Sequence, residues 1–240
     1  MFEAAAGGRP ALACVLQSAL MSEAATAALW LSVRVSLLAT LVDALVGIPL
    51  AYVLAKRRFW GRQVLDVLVM LPLVLPPTVT GYYLIILLGR RGWLGGPLYT
   101  LTGWSLPFTW YAAVVAAAVM ALPLLVRPAR AAIESVNPDL ERAAFVLGRS
   151  EWRTALEVTL PLARRGLVAG LVLAFARALG EFGATLMLAG NIPGRTTTVP
   201  LAIYTAVSTG ETAEARLLVL VLTTLSCAVV VLASRLGSRL

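Results

Sequence analysis

The sequence predicts an all-α integral membrane protein with about five transmembrane helices, and three observations carry that expectation. Only 13% of the 240 residues are charged while 60% are hydrophobic, about half the ~25% charge of a soluble domain. A water-soluble chain of this length has to cover its surface with polar groups, and 20 cations with 12 anions are too few to do so. The mean hydropathy of +0.87 agrees. Third, five stretches stay apolar over the ~20 residues that a helical crossing of a bilayer requires.

Taken in order, the first span covers residues 35–55 and carries a single charge, Asp43. The second, residues 64–88, holds Asp66 near its start, and the third, residues 106–126, is uncharged. The fourth, residues 166–190, contains Arg177 and Glu181, and the fifth, residues 217–233, is uncharged again. A sixth, N-terminal span over residues 11–31 is possible, but Gln17, Ser18, Ser22 and Glu23 interrupt it, so it is placed outside the membrane. Glu3 stands where a signal peptide carries a cation, so no cleaved leader is expected there. Residues 1–34 are therefore expected as an N-terminal extracytoplasmic segment and residues 35–236 as a single transmembrane domain.

Cations set the orientation. With five spans, residues 56–63, residues 127–165 and the C-terminal end share one side and hold four, seven and two of the 20 cations. Arg9, Arg90, Arg91, Arg195 and Arg216 fall on the other side. The positive-inside rule then places the C-terminus in the cytoplasm and the N-terminus outside. The net charge of +8 is read as topology rather than as a nucleic-acid footprint. There is no histidine, and the two cysteines, Cys14 and Cys227, stand far apart. Zinc cages, disulfide frameworks and imidazole-based catalysis are thereby excluded.

Two spans contain features that a plain lipid-facing helix lacks. Pro72, Pro76 and Pro77 fall inside the second, where each removes a backbone donor, so that helix is expected to break or kink. Carbonyls freed at membrane depth need protein or a water-lined cavity around them; the break is read either as lining a translocation path or as a packed kink. In the fourth span Arg177 lies 12 residues past Arg165, roughly 18 Å deep at 1.5 Å per residue. An unpaired charge at that depth costs ~2.5–3.5 kcal/mol. Glu181, four residues on, shares the helical face and supplies a partner. A structural ion pair and a gate for a passing dianion both fit this spacing. Arg177, Glu181, Thr185, Pro76 and Pro77 are thus the candidate residues of a translocation path. Gly166, Gly170, Ala174 and Ala178 form a small-residue stripe for close helix packing, within the chain or across a dimer axis.

Residues 127–165 are too polar for the membrane and too patterned for a plain loop. Asn137-Pro138-Asp139 opens a helix, with a capping side chain and a proline near the first turn. Leu140, Ala143, Ala144 and Leu147 recur at helical spacing until Gly148 ends the helix. A second helix starts after Ser150 and passes Trp152 and Leu156 to Leu160-Pro161. The product is a helical hairpin on the cytoplasmic face, whose small Ala143-Ala144 pair admits another protein's surface.

Glu141-Arg142-Ala143-Ala144-Phe145-Val146-Leu147-Gly148, followed after nine residues by Val158-Thr159-Leu160-Pro161, resembles the EAA loop of ABC importer permeases. The resemblance implies a type I ABC importer permease fold and, within residues 134–161, a coupling helix that seats in a cleft of a cytoplasmic ATPase. It marks Glu141, Arg142, Ala143, Ala144, Gly148, Trp152, Leu160 and Pro161 for ATPase coupling. Counted back from Gly148, the glutamate position of the motif holds Arg142, and Glu141 stands one residue earlier. The chain has one lysine, Lys56, and no Gly-x-x-x-x-Gly-Lys-Ser/Thr cradle for a triphosphate. ATP and Mg are therefore expected on the partner ATPase, and no cofactor on this chain.

The run Phe175-Ala176-Arg177-Ala178-Leu179-Gly180-Glu181-Phe182-Gly183-Ala184-Thr185, with Gly190-Asn191-Ile192-Pro193-Gly194-Arg195 behind it, resembles the permeases of molybdate importers. Leu71-Pro72-Leu73-Val74-Leu75-Pro76-Pro77 and Gly89-Arg90-Arg91-Gly92 match that group as well. Sulfate and thiosulfate permeases share its Gly-Glu-Phe-Gly core. The resemblance implies an oxyanion importer working by alternating access in a bacterial inner membrane. It also implies a homodimer, cytoplasmic ATPase subunits and a periplasmic or extracellular oxyanion-binding protein as partners, with no nucleic acid. Molybdate is the expected cargo, with tungstate and sulfate or thiosulfate as alternatives. An intramembrane enzyme is the rival class, opposed by the absence of His-Glu-x-x-His and Gly-x-Ser-x-Gly motifs.

Overall fold

Ala-rich and Leu-rich stretches fold into helices throughout the computed structural model, which describes residues 23–239. Residues 1–22, with Cys14 and half of the possible sixth span, lie outside the described residues. The first helix, α1 (Glu23–Lys56), has 34 residues, about 51 Å at 1.5 Å per residue, well beyond a ~30 Å hydrocarbon core. It begins twelve residues before the expected start of the first span, so residues 23–34 are its first turns. These turns are apolar but flanked by the charges of Glu23 and Arg34. Ala25 and Ala28 are nonetheless buried, packed with Val199 and Leu218.

The second span is broken as expected, into α2 (Arg62–Val74) and α3 (Pro77–Leu88). Pro72 stays within α2; the break falls at Leu75 and Pro76, whose ψ angles of 146° and 136° are extended. Pro76-Pro77 removes two successive donors, and each proline pushes the residue before it out of the helical region. A single proline does neither twice, which is why Pro49, Pro123 and Pro128 lie inside unbroken helices.

A short helix, α4 (Gly95–Thr102), precedes α5 (Trp110–Glu134), whose Thr109 cap accepts from the Ala112 N–H. Helix α5 is the centre of the molecule. Ala112, Ala113, Ala116, Ala117 and Ala121 on it are fully buried, and α1 packs along it. So does α8 (Arg164–Leu179). Small residues permit the close approach: a Cβ on Gly47 would lie 2.9 Å from Leu125 Cδ2, and one on Gly170 2.9 Å from the Leu125 carbonyl. The stripe of Gly166, Gly170, Ala174 and Ala178 therefore packs within the chain, against α5.

Between α5 and α8 lie α6 (Pro138–Val146) and α7 (Glu151–Leu162), which meets α8 at a 76° bend. The fourth span is two helices, α8 and α9 (Gly183–Ala189), separated by residues 180–182. Next comes α10 (Val199–Thr209), an apolar helix of 11 residues that is too short to cross a bilayer and was not expected. The last helix is α11 (Thr212–Arg239). Among the described residues, α1, α5 and the Thr212–Val231 part of α11 are long and apolar enough to cross a membrane alone. The five expected spans thus appear as three whole helices and two interrupted ones.

Candidate functional site

The hairpin of α6 and α7 is built by local signals. Asn137 Oδ1 accepts from the Asp139 N–H at 2.9 Å, with Pro138 at the first helical position. Ser150 caps α7 by accepting from the Arg153 N–H at 3.4 Å. Between them Gly148 takes φ +79° with nothing within 4 Å of where a Cβ would stand; the left-handed conformation, not space, requires glycine there. Residues Ala155–Thr159 form a π-helical stretch, a distortion that absorbs the donor missing at Pro161 two residues on.

Of the marked residues, Ala144 is buried and Ala143 exposed. Phe145, Val146, Leu147 and Trp152 are exposed, the last three by 87%, 81% and 69%, so an apolar face ends the hairpin. Leu160 is half-buried and Pro161 exposed beyond the π-helical stretch. Glu141 and Arg142 divide their roles. Arg142 reaches only Asp139, at 2.9 Å on the open surface. Glu141 turns inward, 2.9 Å from Lys56 Nζ, and accepts from Thr159 Oγ1 at 2.7 Å. The one-residue displacement of the glutamate thus places it on the inner side of the helix. Sequence reasoning missed Lys56 as its partner; opposite charge was the only signal, across 85 positions of chain.

The second cluster lies where the two interrupted spans adjoin. A Cβ on Gly183 would stand 2.9 Å from Pro77 Cβ, and one on Gly81 2.7 Å from Met187 Cβ. Helices α3 and α9 therefore start side by side, each immediately after its break. Arg177 closes α8, and its Nη2 lies 2.7 Å from Glu181 Oε2 in the gap between α8 and α9. The other oxygen, Oε1, accepts from the Ala184 N–H at 2.8 Å, satisfying a donor in the first turn of α9. The Glu181 side chain is 1% exposed and that of Arg177 24%. Thr185 is buried one turn beyond Glu181. The structure brings Arg177 and Glu181 together, with Thr185 buried on α9, and Pro77 reaches the same gap through Gly183. Pro76 forms the facing break. Thr80 of α3, absent from the sequence-based set, is buried next to Gly81 in the chain, and its hydroxyl has no hydrogen-bond partner.

At the opposite end from the hairpin is a cavity of about 800 Å³, lined by Trp30, Arg34, Trp104, Trp110, Asn191 and Arg195 among others. Arg34 lies over the Trp110 ring at 4.1 Å, a cation–π contact. The neighbouring threonines act as loop fasteners: Thr196 Oγ1 accepts from the Ile192 N–H, and Thr197 Oγ1 donates to Asn191 Oδ1. Arg90 lies over the Tyr99 ring at 5.2 Å. Among the described residues no group of His, Cys, Asp and Glu has metal-site geometry.

The model of the binding-protein-dependent transport system inner membrane component matches residues 47–239. The molybdenum transport system permease protein ModB of Escherichia coli is 49% identical over 195 residues, covering 80% of this chain and 85% of that protein. Its counterpart in Haemophilus influenzae is 45% identical over 179 residues, 75% of this chain and 78% of that protein. Among solved structures, a bacterial alginate ABC transporter in complex with a periplasmic protein that carries an alginate pentasaccharide shares the fold. Its TM-score is 0.74 at 19% identity, over 97% of this chain and 83% of that one. With its membrane-length helices, its adjoining broken spans and a family match over most of its length, the chain belongs to the inner membrane components of binding-protein-dependent transport systems.

Proposed function

We propose that this chain is the membrane-spanning permease of an ATP-driven importer whose cargo is molybdate. The observation that carries the reading is the 49% identity over 195 residues with a molybdenum transport system permease. The family match takes in the hairpin and both interrupted spans. The chain has no phosphate cradle, so hydrolysis belongs to a separate ATPase with its ATP and Mg. The exposed Phe145, Val146, Leu147 and Trp152 offer that ATPase an apolar surface. Two copies of the chain enclose the path, with C-termini in the cytoplasm and N-termini outside. Closure of the ATPase subunits draws the two hairpins together and opens the path outward to a periplasmic binding protein; hydrolysis returns it inward.

Within the path Arg177 attracts a dianion, while Glu181 keeps the guanidinium neutralised when no anion is present. A transport site must bind well enough to admit its ion and weakly enough to release it, and a carboxylate 2.7 Å from the attracting cation supplies that balance. The test is ATP-dependent uptake of radiolabelled molybdate into proteoliposomes holding the chain, its ATPase and its binding protein. Tungstate, of nearly the same size and charge, is expected to compete, and sulfate at equal concentration is not. Competition by sulfate as strong as that by tungstate overturns molybdate as the cargo.

A further inference from the structure

Helix α1 ends in the chain's single lysine, followed by an arginine. The two cations grip different arms of the hairpin. Lys56 Nζ lies 2.9 Å from Glu141 Oε2 on α6, and Arg57 Nη2 lies 2.6 Å from Glu151 Oε2 at the start of α7. The inner contact is the stronger one. The Lys56 and Glu141 side chains are 19% and 14% exposed, and the fully buried Thr159 donates to the second oxygen of Glu141 at 2.7 Å. The outer pair, 59% and 46% exposed, is largely screened by solvent. Both cations sit at a helix C-terminus, where the aligned peptide dipoles favour positive charge.

The far end of the same helix is also fixed. Ser32 Oγ accepts from the Val199 N–H at 2.7 Å in a buried contact at the start of α10. From Ser32 to Lys56 the helix is continuous over about 36 Å, with Pro49 removing one rung of its hydrogen-bond ladder. Of the two helices joined covalently to the hairpin, α5 runs unbroken from Trp110 to Glu134 but enters only the α6 arm, through residues 135–137. Helix α8 meets the hairpin at a 76° bend and stops at Leu179, so a push along it is lost at two joints before it reaches the outer end.

We propose that α1 is the lever that carries movement of the hairpin to the outer end of the molecule, and that Lys56, acting through Glu141, is the positioning residue that engages it. This inference rests on the reading of the hairpin as the ATPase docking element. Transmission of this kind is a coupling free energy between two distant sites, so loss of the contact lowers transport per ATP hydrolysed.

The experiment compares wild type, Lys56→Met and Lys56→Arg in proteoliposomes with the ATPase and the binding protein. It measures assembly, ATP hydrolysis and uptake of radiolabelled molybdate on the same preparations. Lys56→Met is expected to assemble and to hydrolyse ATP while delivering about fivefold fewer anions per ATP, the lower end of an ordinary coupling effect; Lys56→Arg restores most of the ratio. A purely structural role of Lys56 does not move that ratio. If Lys56→Met fails to assemble, the charge-exchanged pair Lys56→Glu with Glu141→Lys replaces it; a wild-type ratio in that protein supports the lever, and a ratio lowered about fivefold or more overturns it. A Lys56→Met protein that assembles and keeps the wild-type ratio overturns the proposal alone. A wild-type chain that binds no ATPase overturns the docking reading and the proposal with it.

Discussion

Glu181 is held by one cation and one backbone donor and is 1% exposed against 24% for Arg177, so the two halves of its ion pair respond unequally to mutation. In Arg177→Gln the carboxylate, 1% exposed, keeps only the Ala184 N–H as a donor. Breaking a buried pair by removing one partner costs ~3–5 kcal/mol. In the double variant Arg177→Gln with Glu181→Gln no charge remains to be compensated, and most of that loss is recovered. Thermal unfolding in detergent is expected to rank wild type first, the double variant second and Arg177→Gln last. If the pair is also the gate, the double variant folds but takes up anion more slowly; uptake at the normal rate restricts the pair to a structural role. This pair was legible in the sequence because its partners stand four positions apart, close enough to stay neighbours although the helix ends at Leu179 and Glu181 lies in the gap beyond it. The Lys56–Glu141 pair was not, because only the packing of α1 beside the hairpin brings its two residues within reach.

Helices whose signals are local were read correctly at the scale of the element. The hairpin has a cap, a proline in its first turn and a glycine stop, and it folds where those residues stand. A cap of this kind contributes ~1 kcal/mol. Asn137→Ala is therefore expected to speed hydrogen exchange of the amides in the first turn of α6 while leaving the exchange of α5 unchanged; equal protection in both proteins rules out the cap as the anchor of the hairpin. Hydropathy found all five apolar stretches but not their internal construction. It reports transfer from water and is blind to burial inside the protein, so it gave no sign that the Ala-rich start of α1 is helical and covered by Val199 and Leu218. Length thresholds likewise pass over α10, whose 11 residues need no bilayer crossing. The break after α8 was invisible for another reason. Glycine at 180 and 183 permits an interruption without demanding one, and close contact with Pro77 of α3 decides it.

Ionic contacts gather at one end of the whole molecule. Asp66, Glu134, Glu141, Glu151 and Glu157 pair there with Arg130, Arg62, Lys56, Arg57 and Arg149. The acids lie beside the cations that set the topology, so net charge alone understates the asymmetry between the two ends. Orientation follows the number of Lys and Arg residues in short loops, with acids contributing little, so the assignment of the hairpin to the cytoplasm survives their pairing. On the proposed topology the opposite end, with the Trp-lined cavity and Arg195, is expected to face outward. This arrangement is testable without transport activity, by replacing Cys14 and Cys227 with serine and adding one cysteine to each end. In spheroplasts a membrane-impermeant maleimide is expected to label Pro193→Cys at once and Trp152→Cys only after permeabilisation, since both positions are exposed on the protein itself and only the bilayer separates them. The opposite pattern inverts the topology and removes the hairpin from the compartment that holds ATP. Labelling of both without permeabilisation breaks the alternation of sides that an odd number of crossings between residues 152 and 193 requires; the interrupted α8–α9 segment would then enter and leave the membrane on the same side.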